Sequence, residues 1–178
     1  NFEETGALAR SLVFLNLAPE HIESHGSYKK YLEAKLKLVK ALDASKKSWK
    51  VIVANIDDKE GQKFLMIKSL DKKPFSLDDV KPFKTSEAGV EITFSGEKIR
   101  SPLPGVFNVY NILAAATYAL SQNISPPSIK RGIEKVKEIR GRVQDIKVSG
   151  AKQSQNFRVI VDYAHTPDSL KALYEAFG

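Results

Sequence analysis

The order of buried strands and amphipathic helices is the feature that most constrains the fold of this chain. Residues 11–17 (SLVFLNL) and 49–54 (WKVIVA) are short apolar runs typical of buried strands. Between them, residues 27–44 repeat apolar side chains at helical spacing, and Ser27 is placed to cap that helix. This order predicts an open α/β sheet with flanking helices. In such a sheet, ligands bind beyond the carboxyl ends of the strands.

The rest of the chain predicts more elements of both kinds. Residues 64–67, 90–94 and 98–101 have the composition of short strands, expected to form an antiparallel patch. Residues 107–122 and 127–136 are expected to be helices. Strands are expected at 143–148 and 157–162, with a turn at 150–156 between them. Thr166 and Pro167 then have the residue types of a helix cap and a first helical position.

Composition excludes several classes of protein. The chain has no cysteine, which excludes disulfides and thiolate metal sites and is as expected of a cytoplasmic protein. It has no apolar run long enough for a membrane span and no signal peptide. The net charge of +7 permits anion binding, but many of the lysines fall on the outer face of the 27–44 helix. Without an RNA-binding or helix-turn-helix signature, we expect no nucleic-acid partner.

Residues 16–35 hold the densest group of chemically active side chains. His21 and His25 lie four residues apart with acids beside them, and a helix follows. Lys35 falls within the apolar stripe of that helix, one turn after Tyr31 and one turn before Val39. A buried, unpaired ammonium is costly, so the pattern predicts a lysine that is paired, neutral or chemically modified. The alternative is a lysine whose long side chain reaches past its neighbours to water.

Three later segments place polar groups at the boundaries of elements. Asn111 lies one turn inside an apolar helix, where asparagine is mildly unfavourable, so ligand contact is expected there; Asn108 is expected to be the helix N-cap. Arg142 lies in an Arg-Gly-Arg turn, and its guanidinium can stack on a base. Asp162 ends a strand, and His165 precedes a helix N-terminus that favours anions. A capped loop with an incidental histidine is the alternative for that last segment.

These segments resemble the signatures of one family, the Mur ligases, which are ATP-dependent amide-forming ligases of peptidoglycan synthesis. Residues 16–35 are similar to the family's "TNL..DHLD.HG....Y..AK", and residues 104–116 to its "G..N..N.LAA". The Arg-Gly-Arg segment resembles "GR.E", with Gln144 in place of the glutamate. Residues 161–170 (VDYAHTPDSL) resemble the "VDYAHTPD.L" of the tripeptide synthetase branch. That branch adds a diamino acid to UDP-MurNAc-L-alanyl-D-glutamate, through an acyl phosphate intermediate.

The resemblance implies a magnesium ion and ATP. In the family the first histidine of the signature binds magnesium and the lysine is carbamylated, which implies His21 and Lys35 as metal ligands and Lys35 as catalytic. The residues that the resemblance assigns to the nucleotide are Asn111 on the adenine, Arg142 and Asp162 on the nucleoside, and His165 near the phosphates, where it is also assigned a catalytic role.

The resemblance further implies that this chain is the middle of a longer ligase. Residues 1–139 would be the later part of the central ATP-binding domain, and residues 140–178 the first strands and helix of a Rossmann-like C-terminal domain. The family's P-loop is expected upstream of Asn1, because the sequence has no G-x-x-x-x-G-K-[ST]. The fragment alone is therefore expected to be inactive. Two alternatives stay open: another amide ligase of the same fold, of the cyanophycin or folylpolyglutamate synthetase type, or a non-catalytic nucleotide-binding module.

Overall fold

A parallel sheet forms the centre of the computed structural model, which describes residues 10–19, 25–68, 70–146 and 157–177. The strands β1 (Ser11–Phe14), β2 (Val51–Asn55) and β3 (Asp71–Phe75) lie side by side in that order. β2 is buried along its whole length. An apolar run without alternation is what a strand covered on both faces requires.

Helices cover both faces of this sheet. Ile52 and Ala54 of β2 pack with the apolar side of α1 (Tyr28–Ala44), while Val51 and Val53 point to the opposite face. That face packs against α3 (Val106–Ser121), and α3 in turn packs against α4 (Pro126–Lys135). The predicted α/β sheet with flanking helices is confirmed. The predicted cap of α1 is also confirmed, since the Ser27 side chain accepts a hydrogen bond from the backbone N–H of Lys30 at 3.2 Å.

Two of the three strands predicted for the antiparallel patch, at 90–94 and 98–101, are confirmed and lie in a second sheet. It consists of β4 (Lys84–Ser86), β5 (Gly89–Phe94) and β6 (Glu97–Ser101). Val90, Ile92 and Ile99 point inward and join the apolar cluster around α3. The two sheets therefore share one core, which holds the first turns of α3 in a fixed position.

The strand predicted at 64–67 is wrong. A single helical turn, α2 (Gly61–Phe64), occupies its beginning, because Asp58 accepts hydrogen bonds from the backbone N–H groups of both Glu60 and Gly61 and starts a turn. A side chain at Gly61 would lie 1.8 Å from the carbonyl oxygen of Asn55, so only glycine fits there. The strand β3, which the sequence did not predict, contains three charged residues and a proline and lies at an edge of the described sheet, where proline is tolerated.

The C-terminal part is a strand pair followed by a helix. β7 (Gln144–Asp145) and β8 (Ile160–Val161) pair antiparallel and are shorter than the predicted strands. The predicted turn at 150–156 lies outside the described residues. α5 (Pro167–Phe177) begins where predicted, with the Thr166 hydroxyl accepting from the N–H of Ser169 at 3.3 Å. No described helix has the length and apolar character needed to cross a membrane.

Candidate nucleotide-binding site

A cavity of about 720 Å³ separates the start of α3 from the C-terminal strand pair and helix. One wall comes from the loop after β1 and from α3, and the other from residues 139–173. Four residues predicted from separate segments of the sequence meet in its lining: Asn111, Arg142, Asp162 and His165. The volume is within the range of small-molecule pockets.

Two asparagines on α3 form a hydrogen-bonded chain along the first wall. Asn108 is 5% exposed, and its side-chain amide donates to the carbonyl oxygen of Pro104 at 2.7 Å. Its own oxygen accepts from the amide of Asn111 at 3.1 Å. Asn111 is exposed, and an amide has two N–H donors and one acceptor oxygen. Within the described chain, one donor and the oxygen of Asn111 therefore remain for a ligand.

The expectation that Asn108 caps this helix is wrong. The helix begins two residues earlier, and the cap position is Gly105 in the left-handed region with φ 93°. Asn108 instead points into the protein and fixes the position of Asn111. The sequence does not reveal this role, because the start of the helix at Val106 depends on the conformational freedom of Gly105.

On the second wall of the cavity, Asp162 binds the backbone next to Arg142. The carboxylate of Asp162 accepts hydrogen bonds from the N–H of Val143 at 2.8 Å and of Ala164 at 2.6 Å. A carboxylate has about four acceptor positions, so two remain after these bonds. The exposed guanidinium of Arg142 lies 4.9 Å from the ring centroid of Tyr163. The two side chains thus offer a planar cation and an acceptor to the cavity.

Gln144 stabilises the turn that presents Arg142. Its side-chain oxygen accepts from the N–H of Gly141 at 3.0 Å, and Gly141 adopts φ 69°. The N–H of Arg142 donates to the carbonyl oxygen of Ile139 at 2.9 Å. Glutamine therefore closes this turn with a neutral side-chain oxygen.

His165 lies at the N-terminus of α5, as predicted, and is exposed. Its Nδ1 lies 2.9 Å from the carbonyl oxygen of Tyr163, and its backbone N–H donates to the Ser169 hydroxyl at 3.1 Å. A carbonyl can only accept, so Nδ1 carries the proton and Nε2 is left for a ligand. In the neutral ring Nε2 is an acceptor, and it donates to a phosphate oxygen only in the protonated ring.

A smaller pocket of about 260 Å³ adjoins the large one and includes Asn111 in its lining. Its polar residues are held by structural hydrogen bonds. Asn55 donates to the carbonyl oxygen of Leu15 at 2.9 Å, and Asp58 accepts from the N–H of Leu17 at 3.1 Å. Asp57 accepts from the Tyr110 hydroxyl at 3.0 Å. Burial, followed by this hydrogen bond to Asp57, raises the pKa of Tyr110 to about 12. The asparagine and the two aspartates therefore stabilise the turn that follows β2.

Lys35 is exposed, so the prediction that α1 buries it is wrong in this chain. Its ammonium lies 5.3 Å from the ring centroid of Tyr31, along the border of the apolar stripe. The buried part of the stripe is Leu32, Val39 and Leu42, and the four-carbon stem of the lysine carries its charge past them to water. The His25 ring lies 5.0 Å from the ring of Tyr31, whereas His21 lies outside the described residues. In the described ranges no group of three His, Cys, Asp or Glu side chains is placed to hold a metal.

Glu60 is a buried acid that the sequence did not single out. It is 6% exposed, accepts from the Tyr28 hydroxyl at 3.2 Å and pairs with the Lys63 ammonium at 2.5 Å. The hydrogen bond from Lys63 outweighs burial and lowers the pKa of Glu60. The Tyr28 hydroxyl also lies 3.3 Å from the carbonyl oxygen of Leu17. Together these contacts join the start of α1 to Leu17 in the loop after β1.

Comparison with known proteins identifies the class that this fold and cavity define. Residues 6–119 match the Mur ligase middle domain, and the chain belongs to the Mur ligase family. Among curated relatives it is similar to the UDP-N-acetylmuramoyl-L-alanyl-D-glutamate–2,6-diaminopimelate ligase of Halalkalibacterium halodurans, at 33% identity over 93% of this chain. It is also similar to the equally named ligase of Caldanaerobacter subterraneus, at 34% identity over 92% of the chain.

Solved structures agree on the fold. MurF from Acinetobacter baumannii superposes with a TM-score of 0.79 over 94% of this chain and 37% of that one, at 20% identity. A 2,6-diaminopimelate ligase structure gives a TM-score of 0.69 at 26% identity, over 94% of this chain and 35% of that one. The chain spans about a third of the length of the curated relatives above, 35% and 33% respectively.

Proposed function

We propose that this chain is the nucleoside-holding part of an ATP-dependent ligase of peptidoglycan precursor synthesis. The full-length enzyme would join a diamino acid to UDP-MurNAc-L-Ala-D-Glu. ATP would phosphorylate the D-glutamate carboxylate, and the amine would displace phosphate from the resulting acyl phosphate to form the amide. The observation that carries this proposal is the convergence of Asn111, Arg142, Asp162 and His165 on one cavity of about 720 Å³.

The cavity has the donors and acceptors that an adenine nucleoside needs. Asn111 has one N–H and its oxygen available, which matches the donor and acceptor on one edge of adenine. The guanidinium of Arg142 can lie against the base, and the remaining acceptor positions of Asp162 suit ribose hydroxyls. Nε2 of His165, at the N-terminus of α5, would face phosphate oxygens. When bound there, ATP would supply the phosphoryl group.

The domain division is part of the same proposal. Residues 1–139 would belong to the central ATP-binding domain and residues 140–178 would begin the C-terminal domain. The hydrogen bond from Val143 to Asp162 and the pairing of β7 with β8 support this division, because they join segments of the C-terminal part to each other. The cavity then lies between two domains, a common place for ligand sites. We also propose that the enzyme works in the cytoplasm, where ATP is abundant.

For magnesium we propose His21 and carbamylated Lys35 in the full-length protein. Carbon dioxide adds to the unprotonated amine of Lys35 with release of one proton, and magnesium bound in the full-length protein would stabilise the carbamate that forms. The two residues form at most part of a site, since the described ranges contain no complete cluster of ligands. Magnesium would neutralise charge during phosphoryl transfer. His21→Ala should raise the magnesium concentration needed for half-maximal turnover more than it weakens ATP binding, and equal turnover at limiting magnesium would remove His21 from the site.

The experiment that tests the function uses the full-length protein with UDP-MurNAc-L-Ala-D-Glu, ATP and magnesium. Diaminopimelate and lysine are supplied separately, and the amide product is measured by mass spectrometry alongside released phosphate. We expect one amide and one phosphate per turnover with a diamino acid. Two results would contradict the proposal. One is that the protein adds glutamate to a folate or extends an aspartate–arginine polymer instead, and the other is that it forms no product with any amine.

A matched pair of variants ties the activity to the cavity. Arg142→Lys keeps the charge but loses the planar group, so we expect ATP affinity to fall by about 1–2 kcal/mol, or 5- to 30-fold. Arg140→Lys makes the same change two residues away at an exposed position that does not line the cavity. Equal ATP affinity in the two variants would remove Arg142 from the site.

A further inference from the structure

Arg158 contacts three separate elements at the rim of the C-terminal part. Its Nη1 lies 3.0 Å from a carboxylate oxygen of Glu87, in the turn between β4 and β5. Nη2 and Nε lie 2.9 and 3.2 Å from one oxygen of Asp145 on β7. The guanidinium carbon lies 5.2 Å from the ring centroid of Phe177, at the end of α5. One planar cation therefore joins the two C-terminal elements to the antiparallel sheet.

The walls of the nucleoside cavity belong to the parts that Arg158 joins. Asn111 and Phe107 lie on α3, which shares a core with the antiparallel sheet. Arg142 and Asp162 lie on the opposite wall, directly next to β7 and β8. The distance between the walls thus depends on how the C-terminal part rests on the antiparallel sheet.

Apart from the contacts of Arg158, the junction between the C-terminal part and the antiparallel sheet is loosely packed. α5 has no buried residue in the described chain. A gap of about 140 Å³ remains between its residues Ala172 and Ala176 and residues Thr85 and Ser86 of β4. Because a junction with few buried contacts opens readily, a charge pair that spans it has a measurable effect on its geometry. Arg158 and Glu87 are 43% and 60% exposed at their side chains, so that effect should be moderate.

We propose that Arg158 is a positioning residue, which acts through Glu87 to hold the Arg142–Asp162 wall at the distance from Asn111 that a nucleoside requires. The proposal rests on the nucleotide-binding function proposed above. A guanidinium suits this role because its fork can bind two carboxylates at once, whereas an ammonium cannot hold both in fixed directions. The contact to Asp145 orients the guanidinium of Arg158, and the contact to Glu87 joins the C-terminal part to the antiparallel sheet.

The first measurement follows the junction itself in this 178-residue chain. The sequence has no cysteine, so spin labels can be placed at Lys40→Cys on α1 and Lys171→Cys on α5, both exposed positions. We expect a narrow distance distribution in the parent chain and a broader one in Glu87→Gln. Glu33→Gln on α1 removes the same charge from an exposed position and should leave the distribution narrow.

The second measurement follows ATP binding in the full-length protein. Glu87→Gln and Arg158→Lys should each weaken ATP binding about two- to fivefold without changing the urea midpoint, and the double variant Glu87→Gln/Arg158→Gln should bind no more weakly than Arg158→Gln. A distance distribution or an ATP affinity in Glu87→Gln that equals that of Glu33→Gln would overturn the positioning role. If the parent protein itself does not bind ATP, the proposed function is contradicted. This result differs from a failure of the positioning role, because it is seen without any variant.

Discussion

Replacing Asn108 by alanine removes two hydrogen bonds from the wall of the nucleoside cavity. Asn108 is 5% exposed, donates to the carbonyl oxygen of Pro104 at 2.7 Å and accepts from Asn111 at 3.1 Å. In the variant, the buried carbonyl of Pro104 loses its donor and the amide of Asn111 loses the acceptor that orients it. We therefore expect both the stability of the protein and its affinity for ATP to fall.

The size of the stability change follows from these two bonds. A typical hydrogen bond contributes about 1 kcal/mol, and leaving a buried partner unsatisfied costs about 1–3 kcal/mol. Since the bond to Pro104 is buried and the bond to Asn111 is partly exposed, the free energy of unfolding should fall by about 2–3 kcal/mol. For a protein of this length, that corresponds to a decrease in Tm of about 4–12 °C.

Urea unfolding followed by far-UV circular dichroism measures this change, and Asn111→Ala is the matched control. Asn111 is exposed and its bond to Asn108 is only partly buried, so water replaces the lost donor and the variant should be destabilised by less than about 1 kcal/mol. Both variants should bind ATP more weakly in the full-length protein. If Asn108→Ala is destabilised no more than Asn111→Ala, the reasoning about the buried chain of asparagines is wrong.

Three further predictions concern other parts of the chain. Hydrogen bonds from Lys98 and Arg100 lower the pKa of Glu91 to about 2, below its ordinary value of 4.5. The stabilisation from Glu91 is therefore fully present above about pH 4.5 and is lost toward pH 2, so the stability difference between Glu91→Gln and the parent chain should vanish near pH 2 in acid-unfolding curves. Leu113→Ala removes a fully buried side chain from α3 and should lower the free energy of unfolding by about 2–5 kcal/mol in urea, and a loss under 1 kcal/mol would contradict its place in the core. In the full-length enzyme Lys35→Ala should reduce turnover by about 100-fold or more, with partial recovery on adding a short carboxylate, whereas Lys35 in this 178-residue chain should show no carbamate signal in NMR with isotopically labelled bicarbonate.

The sequence predicted the elements whose apolar pattern is strong. α1 and α3 lie within one residue of their predicted bounds, because each presents a long apolar face to the sheet. β3 was missed because an edge strand buries little of itself, and its sequence DKKPF has no alternation to recognise. The segment 64–67, predicted to be a strand, has an apolar composition that suits either a strand or a helix. The pattern does not reveal the hydrogen bonds of Asp58, whose carboxylate accepts from the N–H of Glu60 and whose carbonyl accepts from the N–H of Gly61, and these start a helical turn.

The candidate site shows the same division between local and long-range information. The resemblance to the Mur ligases assigned Asn111, Arg142, Asp162 and His165 to the nucleotide one by one, and the structure brings them to one cavity. The burial of Lys35 was predicted from helical spacing alone, and spacing does not show how far a stem of four carbons reaches. Glu60 depends on Tyr28, which only folding brings close to it. The partners of Asn108 are local, at Pro104 and Asn111, and were missed because Asn108 was expected to be the N-cap.

The central claim is that the cavity between α3 and the C-terminal strand pair holds the nucleoside of ATP. Photolabelling of the full-length protein with an azido-adenine analogue of ATP, followed by peptide mapping, tests this claim most directly. We predict that the label falls within residues 103–111 and 139–145, and that excess ATP prevents it. ATP-protected label confined to peptides outside residues 103–173 would contradict the account.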